Sequence, residues 1–156
     1  KGVLQVVSAV KDDVFSTTST SSVDITDMAV TLTPRSTDSK VLILANCQLC
    51  VGLYGGYGCY VELVRTIGSG SATPIALNTS ATDSDFRTTF SQINLQNYEI
   101  GMNGAIFLDS PSTTSSTEYK LTGFSNGGTF YLNRRGDGTA EGSISTITAM
   151  EIQGAI

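Results

Sequence analysis

The sequence carries two thiols at a spacing that suits redox or zinc chemistry. Cys47 and Cys50 form a Cys-x-x-Cys pair, and Cys59 is the third cysteine of the chain. A thioredoxin-type pair needs a helix N-terminus to lower the thiol pKa, and a zinc site needs further ligands, which cannot include histidine because the chain has none. Cys47 and Cys50 instead lie in one extended apolar run, on opposite faces of a strand. We therefore predict buried or half-buried free thiols.

Carboxylates are the other candidates for chemistry. Asp83-Ser84-Asp85 offers oxygen ligands for calcium, but the glycine and terminal glutamate of an EF-hand loop are missing at the required offsets. Paired carboxylates could hydrolyse a glycosidic bond, yet most of the 14 acidic residues fall in predicted turns. The absence of histidine also removes Ser-His-Asp and Cys-His catalysis. The sequence therefore predicts a protein that is not an enzyme and has no cofactor or metal.

Two short motifs match known recognition signals. Arg135-Gly136-Asp137 is an Arg-Gly-Asp adhesion triplet, but Asp-Gly is also an ordinary hairpin turn, and we predict a turn. Asn78-Thr79-Ser80 matches the acceptor pattern for N-glycosylation, which matters only in a eukaryotic secretory route.

A tyrosine- and glycine-rich segment is the most suggestive binding feature. Tyr54, Gly55, Gly56 and Tyr57 precede a predicted strand. Exposed tyrosine gives amphipathic contact area at low entropic cost, and glycine lets a loop adapt to its partner. One hypothesis is a surface loop that contacts a receptor. The hypothesis we favour is a glycine-rich hairpin whose tyrosines pack on the edge of the sandwich or on a neighbouring subunit.

The composition limits the possible classes of protein. Charged residues make up 15% of the 156 residues, against about 25% in an average globular domain. A net charge of −5 argues against binding to nucleic acid, because such proteins neutralise phosphates with clustered lysine and arginine. No apolar run approaches the 18 or more residues of a membrane span, so no membrane insertion is expected. The 40% of apolar residues is enough to build a core.

The pattern of short apolar runs predicts the fold. Runs of β-branched and aromatic residues alternate with clusters of Gly, Ser, Thr, Asn and Asp, and no segment has a sustained 3.6-residue period. The strongest run is 40–51. Its odd positions are all apolar, while its even positions change from leucine to Asn46 and Gln48, which predicts one buried face and one that becomes exposed. We predict one domain, 1–156, with an all-β, jelly-roll-like fold: a two-sheet antiparallel β-sandwich of about eight to ten strands and little or no helix.

Several strings of residues together resemble one family of proteins. In chain order they lie at 3–7, 31–44, 108–114 with 118–120, 130–134 and 145–152. In this order they resemble a virion domain common in tailed bacteriophages, especially phages of aquatic bacteria, that is often labelled a tail-fibre or structural protein. The resemblance spans nearly the whole chain, but is weak from Gly52 to Gly101. It implies attachment to a virion, brings no catalytic motif and, by analogy with trimeric fibre and decoration domains, implies a homotrimer.

Two functions remain open from the sequence. The first is a virion structural protein without enzymatic activity, either a capsid decoration (cement) protein or a fibre or knob domain. Its expected partners are copies of itself and the major capsid protein or other virion proteins. The alternative is a tail-fibre module that recognises host cell-surface glycan through the loop at 52–58. The low charge independently favours an oligomer, because a sandwich with a bland surface associates unless neighbouring subunits cover it.

Overall fold

The computed structural model of the chain contains only strands and irregular segments in the residues it describes, which are 2–52, 57–80, 87–93, 99–138 and 142–154. None of these residues forms a helix that could span a membrane. Eleven strands lie in these ranges: β1 Val3–Lys11, β2 Phe15–Thr17, β3 Val23–Leu32, β4 Lys40–Val51, β5 Gly58–Ile67, β6 Thr73–Ile75, β7 Phe90–Ile93, β8 Gly101–Asp109, β9 Thr117–Ser125, β10 Phe130–Leu132 and β11 Ser145–Ile152.

The strands form two antiparallel sheets. Sheet A has the order β1-β11-β4-β8, and the short strands β10 and β2 extend it beside the end of β4. Sheet B has the order β3-β9-β5, with β6 and β7 both paired to β5. Eight strands make four nested pairs, β1 with β11, β3 with β9, β4 with β8 and β5 with β7, which is the pattern of a jelly roll. The predicted all-β, jelly-roll-like sandwich with little or no helix is confirmed.

Strand β4 lies at the centre of sheet A and supplies much of the core. Its odd positions from Val41 to Val51 are buried and face sheet B, as the alternation predicts. They pack against apolar side chains of both sheets, including Ile25, Met28, Leu63, Leu121, Phe130 and Ile147. The even positions do not become exposed, which corrects the prediction. Those from Leu42 to Gln48 are half-buried, and Cys50 is buried, because side chains of β11, β10 and β8 flank this central strand.

Strand β3 joins two runs that the sequence shows separately. Its pairing with β9 shifts between Asp24 and Ala29, and Asp27 has a left-handed φ of 62°. The irregularity changes the alternation by one residue, so Ile25 and Met28 both face the core although they are an odd number of residues apart. Strand β8 begins at Gly101, four residues before the apolar run that starts at Ala105.

Candidate interaction surface

The outward face of sheet A brings together side chains from four strands, and we call it the A face. The register gives four rows across β1, β11, β4 and β8. The first row is Val6, Met150, Leu42 and Leu108; the second is Ser8, Thr148, Leu44 and Ile106; the third is Val10, Thr146, Asn46 and Gly104; and the fourth pairs Gln48 with Met102. None of the residues in these four rows carries a charge.

Large apolar side chains protrude along both edges of the A face. On β8, Met102 and Ile106 are 72% and 75% exposed, and Leu108 is 54% exposed. On β1, Val6 and Val10 are 53% and 56% exposed. We call these the β8 margin and the β1 margin. The central strands between them are half-buried, so the face has two raised apolar edges and a lower middle.

A depression of about 390 Å³ lies between the two margins. It forms because Gly104 interrupts the row of large side chains on β8, where a Cβ would lie 2.1 Å from the carbonyl oxygen of Ala45. Its lining is mostly apolar, with hydroxyl and amide groups on one side: Leu44, Ala45, Asn46, Gly104, Ala105, Ile106, Thr146 and Thr148. Within the described part of the chain, the Asn46 Oδ1 atom is buried without a hydrogen-bond partner. The mostly apolar lining of the depression suits an apolar side chain.

The outward face of sheet B, the B face, has the opposite character. Its rows across β3, β9 and β5 contain Asp24, Glu62, Glu118 and Lys120. The Lys120 Nζ atom lies 2.8 Å from Asp24 Oδ2. At the other end of this face, Tyr60 and Phe124 stack with ring centroids 5.1 Å apart, and both are buried. The B face is charged, and its largest side chains are covered.

The predicted tyrosine–glycine contact loop is described only at its end. Tyr54, Gly55 and Gly56 lie outside the described residues. Tyr57 is 37% exposed, and its ring lies against Gly127, where a Cβ would be 2.3 Å from the ring carbons. Gly127 thus provides a surface on which this tyrosine rests while keeping part of its ring accessible.

The three cysteines are free and buried, which confirms the prediction made for the Cys-x-x-Cys pair. Burial raises the pKa of Cys47 to about 12, although a hydrogen bond with Ser145 opposes the shift. Burial also raises the pKa of Cys59, whose thiol donates to the carbonyl of Cys50 at 3.1 Å. Thiols of this kind stay protonated at neutral pH and are poor nucleophiles and metal ligands.

One group of buried polar side chains joins the two sheets. Arg65 of sheet B donates from Nη1 to both carboxylate oxygens of Asp109 of sheet A, at 2.8 Å each. The Tyr119 hydroxyl donates to the same carboxylate at 2.7 Å. Burial and the neighbouring Asp109 carboxylate raise the pKa of Tyr119, so the hydroxyl stays protonated and donates. This arrangement holds the sheets in register and leaves Asp109 fully occupied.

A second buried carboxylate closes the turn between β3 and β4. Glu151 accepts hydrogen bonds from Ser39 Oγ and Arg35 N at 2.7 Å and from Gln5 Nε2 at 2.6 Å. Burial alone would raise the pKa of Glu151, but these hydrogen bonds together hold it below its ordinary value. The carboxylate is therefore ionised at neutral pH and serves as an anchor for the turn.

A third group lies at the edge between β1 and β3. Lys11 is fully buried, and its Nζ atom contacts Asp13 Oδ1 at 2.6 Å and Thr26 Oγ1 at 3.1 Å. Its hydrogen bond lowers the pKa of Asp13. Its role is structural, since its donors are used within the fold.

The remaining sequence motifs occupy turns. Arg135 and Asp137 of the Arg-Gly-Asp triplet pair with each other at 2.6 Å. Asn78 of the glycosylation pattern is exposed, and its Oδ1 atom accepts from the backbone of Ser80 at 3.1 Å. Asp83-Ser84-Asp85 lies outside the described residues. In the described ranges, no three acidic or cysteine side chains gather as a metal site would require.

Sequence reasoning missed the residues that shape the A face. Gly104 and Met102 precede the apolar run that begins at Ala105, and Ile106 lies within it. A signal was present, because Ala105, Ile106, Phe107 and Leu108 are four consecutive apolar residues. A strand that is apolar on both faces is expected to be covered on both, and a glycine inside a strand marks a close approach of two backbones.

Comparisons with known proteins give structural likeness only. No family model matches the chain, and no curated protein matches it in sequence. Among solved structures, a VP2 subviral particle of infectious bursal disease virus aligns with a TM-score of 0.44 and 11% identity over 94% of this chain. The T=1 particles derived from that virus give 0.42 and 12% over 96% of the chain, and the Eiger TNF from S. frugiperda gives 0.39 and 8% over 97%.

The lengths covered in these structures differ. The alignments span 40% of the VP2 chain and 36% of the chain in the T=1 particles, so this chain matches well under half of either. They span 95% of the Eiger TNF chain. At these identities and TM-scores, neither activity nor partners can be transferred to this chain.

Proposed function

We propose that this chain is a structural protein of a bacteriophage virion, without enzymatic activity, that works as a homotrimer. The observation that carries the proposal is the A face, where exposed apolar side chains project from an antiparallel sheet and no row contains a charge. Contiguous apolar patches of this kind mark interaction sites in soluble proteins. The virion location and the trimer in this proposal rest on the resemblance of the sequence strings to a phage virion domain.

The jelly roll suits this work for a physical reason. Its core combines apolar packing between two sheets with buried polar anchors at Asp109, Glu151 and Lys11. These contacts within the chain hold the two sheets together. The proposed location is the virion surface, as a capsid decoration protein or as a fibre or knob domain. The proposed partners are copies of the chain and the major capsid protein or other virion proteins.

Electron cryomicroscopy of purified particles that encode the chain tests this proposal. A decoration protein gives trimeric density at three-fold or quasi-three-fold positions of the capsid, and a fibre domain gives density on the tail or on head fibres. Mass spectrometry of the same particles should detect the chain's peptides. Particles that lack both the density and the peptides would contradict the proposal.

Tyr57 favours the second candidate, recognition of a host-surface glycan. Its ring is partly exposed and rests on Gly127, and such a ring can stack on the apolar face of a sugar. In a phage that carries the chain, Tyr57→Ala should then reduce adsorption to host cells. Ile93→Ala, which removes a different exposed apolar side chain on β7, serves as the control. Unchanged adsorption of the Tyr57 variant would remove the glycan candidate.

A further inference from the structure

The A face has the chemistry of a contact between protein subunits, and its area in plan is about half of what each partner buries in a standard interface. With strands about 4.8 Å apart and a rise of about 3.3 Å per residue, four strands and four rows cover roughly 20 Å by 20 Å. This is roughly 400 Å² in plan, before the relief of the protruding margins is counted, whereas a standard interface buries about 800 Å² on each partner. The absence of charge in the four rows excludes a strongly charged partner surface, because that surface would lose its solvation without gaining an ion pair.

The second copy of the chain is the occupant that the surface chemistry favours. The two margins and the depression are complementary to each other, since the margins are apolar and raised and the depression is apolar and low. The B face is the other large sheet surface of the molecule and is charged, so it does not complement the A face. The A face therefore complements itself better than it complements the opposite side of the molecule.

The symmetry of a trimer then determines which parts meet. A three-fold ring contains no two-fold axis between its subunits, so each contact joins two different patches of the surface. The A face offers two such patches, the protruding β1 margin and the depression next to the β8 margin. Two A faces placed centrally face to face would instead oppose margin to margin and leave both depressions empty.

We infer that the β1 margin of one copy, with Val6 and Val10, docks into the Gly104 depression of the next copy, and that three such contacts close the ring. This inference rests on the proposed trimer and adds where its subunits touch. The depression receives valine side chains against Leu44 and Ile106. The Ser8 hydroxyl, which lies between Val6 and Val10 on the same side of β1, is hydrogen-bonded to Thr148 Oγ1 at 2.9 Å within its own sheet, so the docking contact is apolar. Docking would thus bury apolar area of both copies.

A charge introduced on the A face or, as a control, on the B face tests whether the A face forms the contact between subunits. Ile106→Glu places a carboxylate in the wall of the depression, at a side chain that is 75% exposed and so dispensable for folding. Ala29→Glu is the matched control, since it adds the same charge at an exposed strand position of the B face, opposite Lys120. Size-exclusion chromatography with light scattering at micromolar concentration measures the oligomer, and circular dichroism checks the fold.

The expected result is a trimer for the wild-type chain and for Ala29→Glu, and a monomer for Ile106→Glu, with at least a 100-fold weaker association. If Ile106→Glu fails to fold, Val10→Glu on the β1 margin carries the same expectation. A trimer that survives both charges contradicts the contact but leaves the proposed function intact. A monomeric wild-type chain contradicts the trimer of the proposed function itself.

Engineered cysteines test the direction of the contact. The three native thiols are buried, so new surface thiols react selectively, and the wild-type chain is the background control. Under oxidising conditions, the double variant Val10→Cys with Ile106→Cys should form covalent trimers on a non-reducing gel, while each single variant should stay uncrosslinked. Covalent dimers from Ile106→Cys alone would indicate a two-fold contact and overturn the ring arrangement. A solution trimer that gives no crosslink in the double variant would overturn it as well.

Discussion

The two outward faces of the sandwich are built from the same kind of strand but differ in the side chains that they present to solvent. The B face carries ionised side chains and covers its largest aromatic pair, Tyr60 with Phe124. The A face leaves Ile106 and Met102 largely exposed and has no charge in its four rows. Charged side chains keep a strand surface solvated, whereas an uncharged apolar surface gains free energy when another surface covers it.

The difference teaches that the low overall charge of the chain is not evenly distributed. Three charged residues of sheet A, Glu151, Asp109 and Lys11, turn inward and stabilise the sandwich through hydrogen bonds and ion pairs. Charges on sheet B, such as Glu118 and Lys120, turn outward. These three groups of sheet A thus serve folding, whereas sheet B uses Arg65 for its contact with Asp109 and keeps Glu118 and Lys120 on its outward face.

Gly104→Ala should have the largest effect, because the depression of the A face exists only where Gly104 has no side chain. The added Cβ would lie 2.1 Å from the backbone oxygen of Ala45, and a backbone cannot move aside as a side chain can. We expect the free energy of unfolding to fall by about 3 kcal/mol, the upper end of overpacking costs, and the oligomer to weaken. Urea unfolding and light scattering measure the two effects. Gly142→Ala is the control, since nothing lies within 4 Å of its Cβ position, and equal losses would contradict the explanation.

Glu151→Gln should have the next largest effect. It tests a buried carboxylate of sheet A against a half-exposed carboxylate of the B face. The pKa of Glu151 is lowered in the folded state, so its contribution to stability is present above the unfolded value of about 4.3 and is lost as pH falls through the folded pKa. The variant should lose about 1–2 kcal/mol at pH 7 and show a shallower loss of stability in acid.

The matched control for this prediction is Glu118→Gln on the B face. This side chain is half-exposed, so the variant should stay within about 0.5 kcal/mol of the wild type and keep the wild-type acid dependence. Thermal unfolding between pH 3 and pH 7 measures both variants. An identical acid dependence for Glu151→Gln and the wild type would show that this carboxylate does not carry the effect.

Asp24→Asn should have the smallest effect. It tests whether the charged B face takes part in the subunit contact. It removes the ion pair with Lys120, in which the Asp24 side chain is 64% exposed, and exposed pairs are worth about 0.2–1 kcal/mol. The oligomer should be unchanged in light scattering at both 0.1 M and 1 M salt, because the contact that we propose contains no charge for salt to screen. A loss of the oligomer in this variant would place the subunit contact on the B face.

The sequence was most informative where alternation alone decides the structure. The odd positions of β4 are all apolar and all buried, and the three cysteines are buried free thiols, as their positions in strands predict. The same period-2 pattern, with glycine- and serine-rich turns between runs, was sufficient to predict the two-sheet sandwich. These features depend on local residue order and on the need to bury one face of each strand.

The pattern was less informative where neighbouring strands decide exposure. Even positions of β4 were expected to become exposed towards Gln48, but they stay half-buried and Cys50 is buried, because partners on both sides cover a central strand. The shift within β3 at Asp27 also depends on its pairing with β9. Strand partners and register arise from contacts between distant parts of the chain, which no local window contains.

The sequence by itself determined the class of the fold, the inward residues of its central strand and the scarcity of catalytic and metal-binding side chains. Only the tertiary structure decided that Val6 and Val10 of β1, Leu44 of β4 and Ile106 of β8 share one uncharged face, although they lie far apart along the chain. The physical reason is that alternation fixes on which side of its own strand a residue lies. The order and register of the strands fix which residues become neighbours, and a surface for binding is made of neighbours.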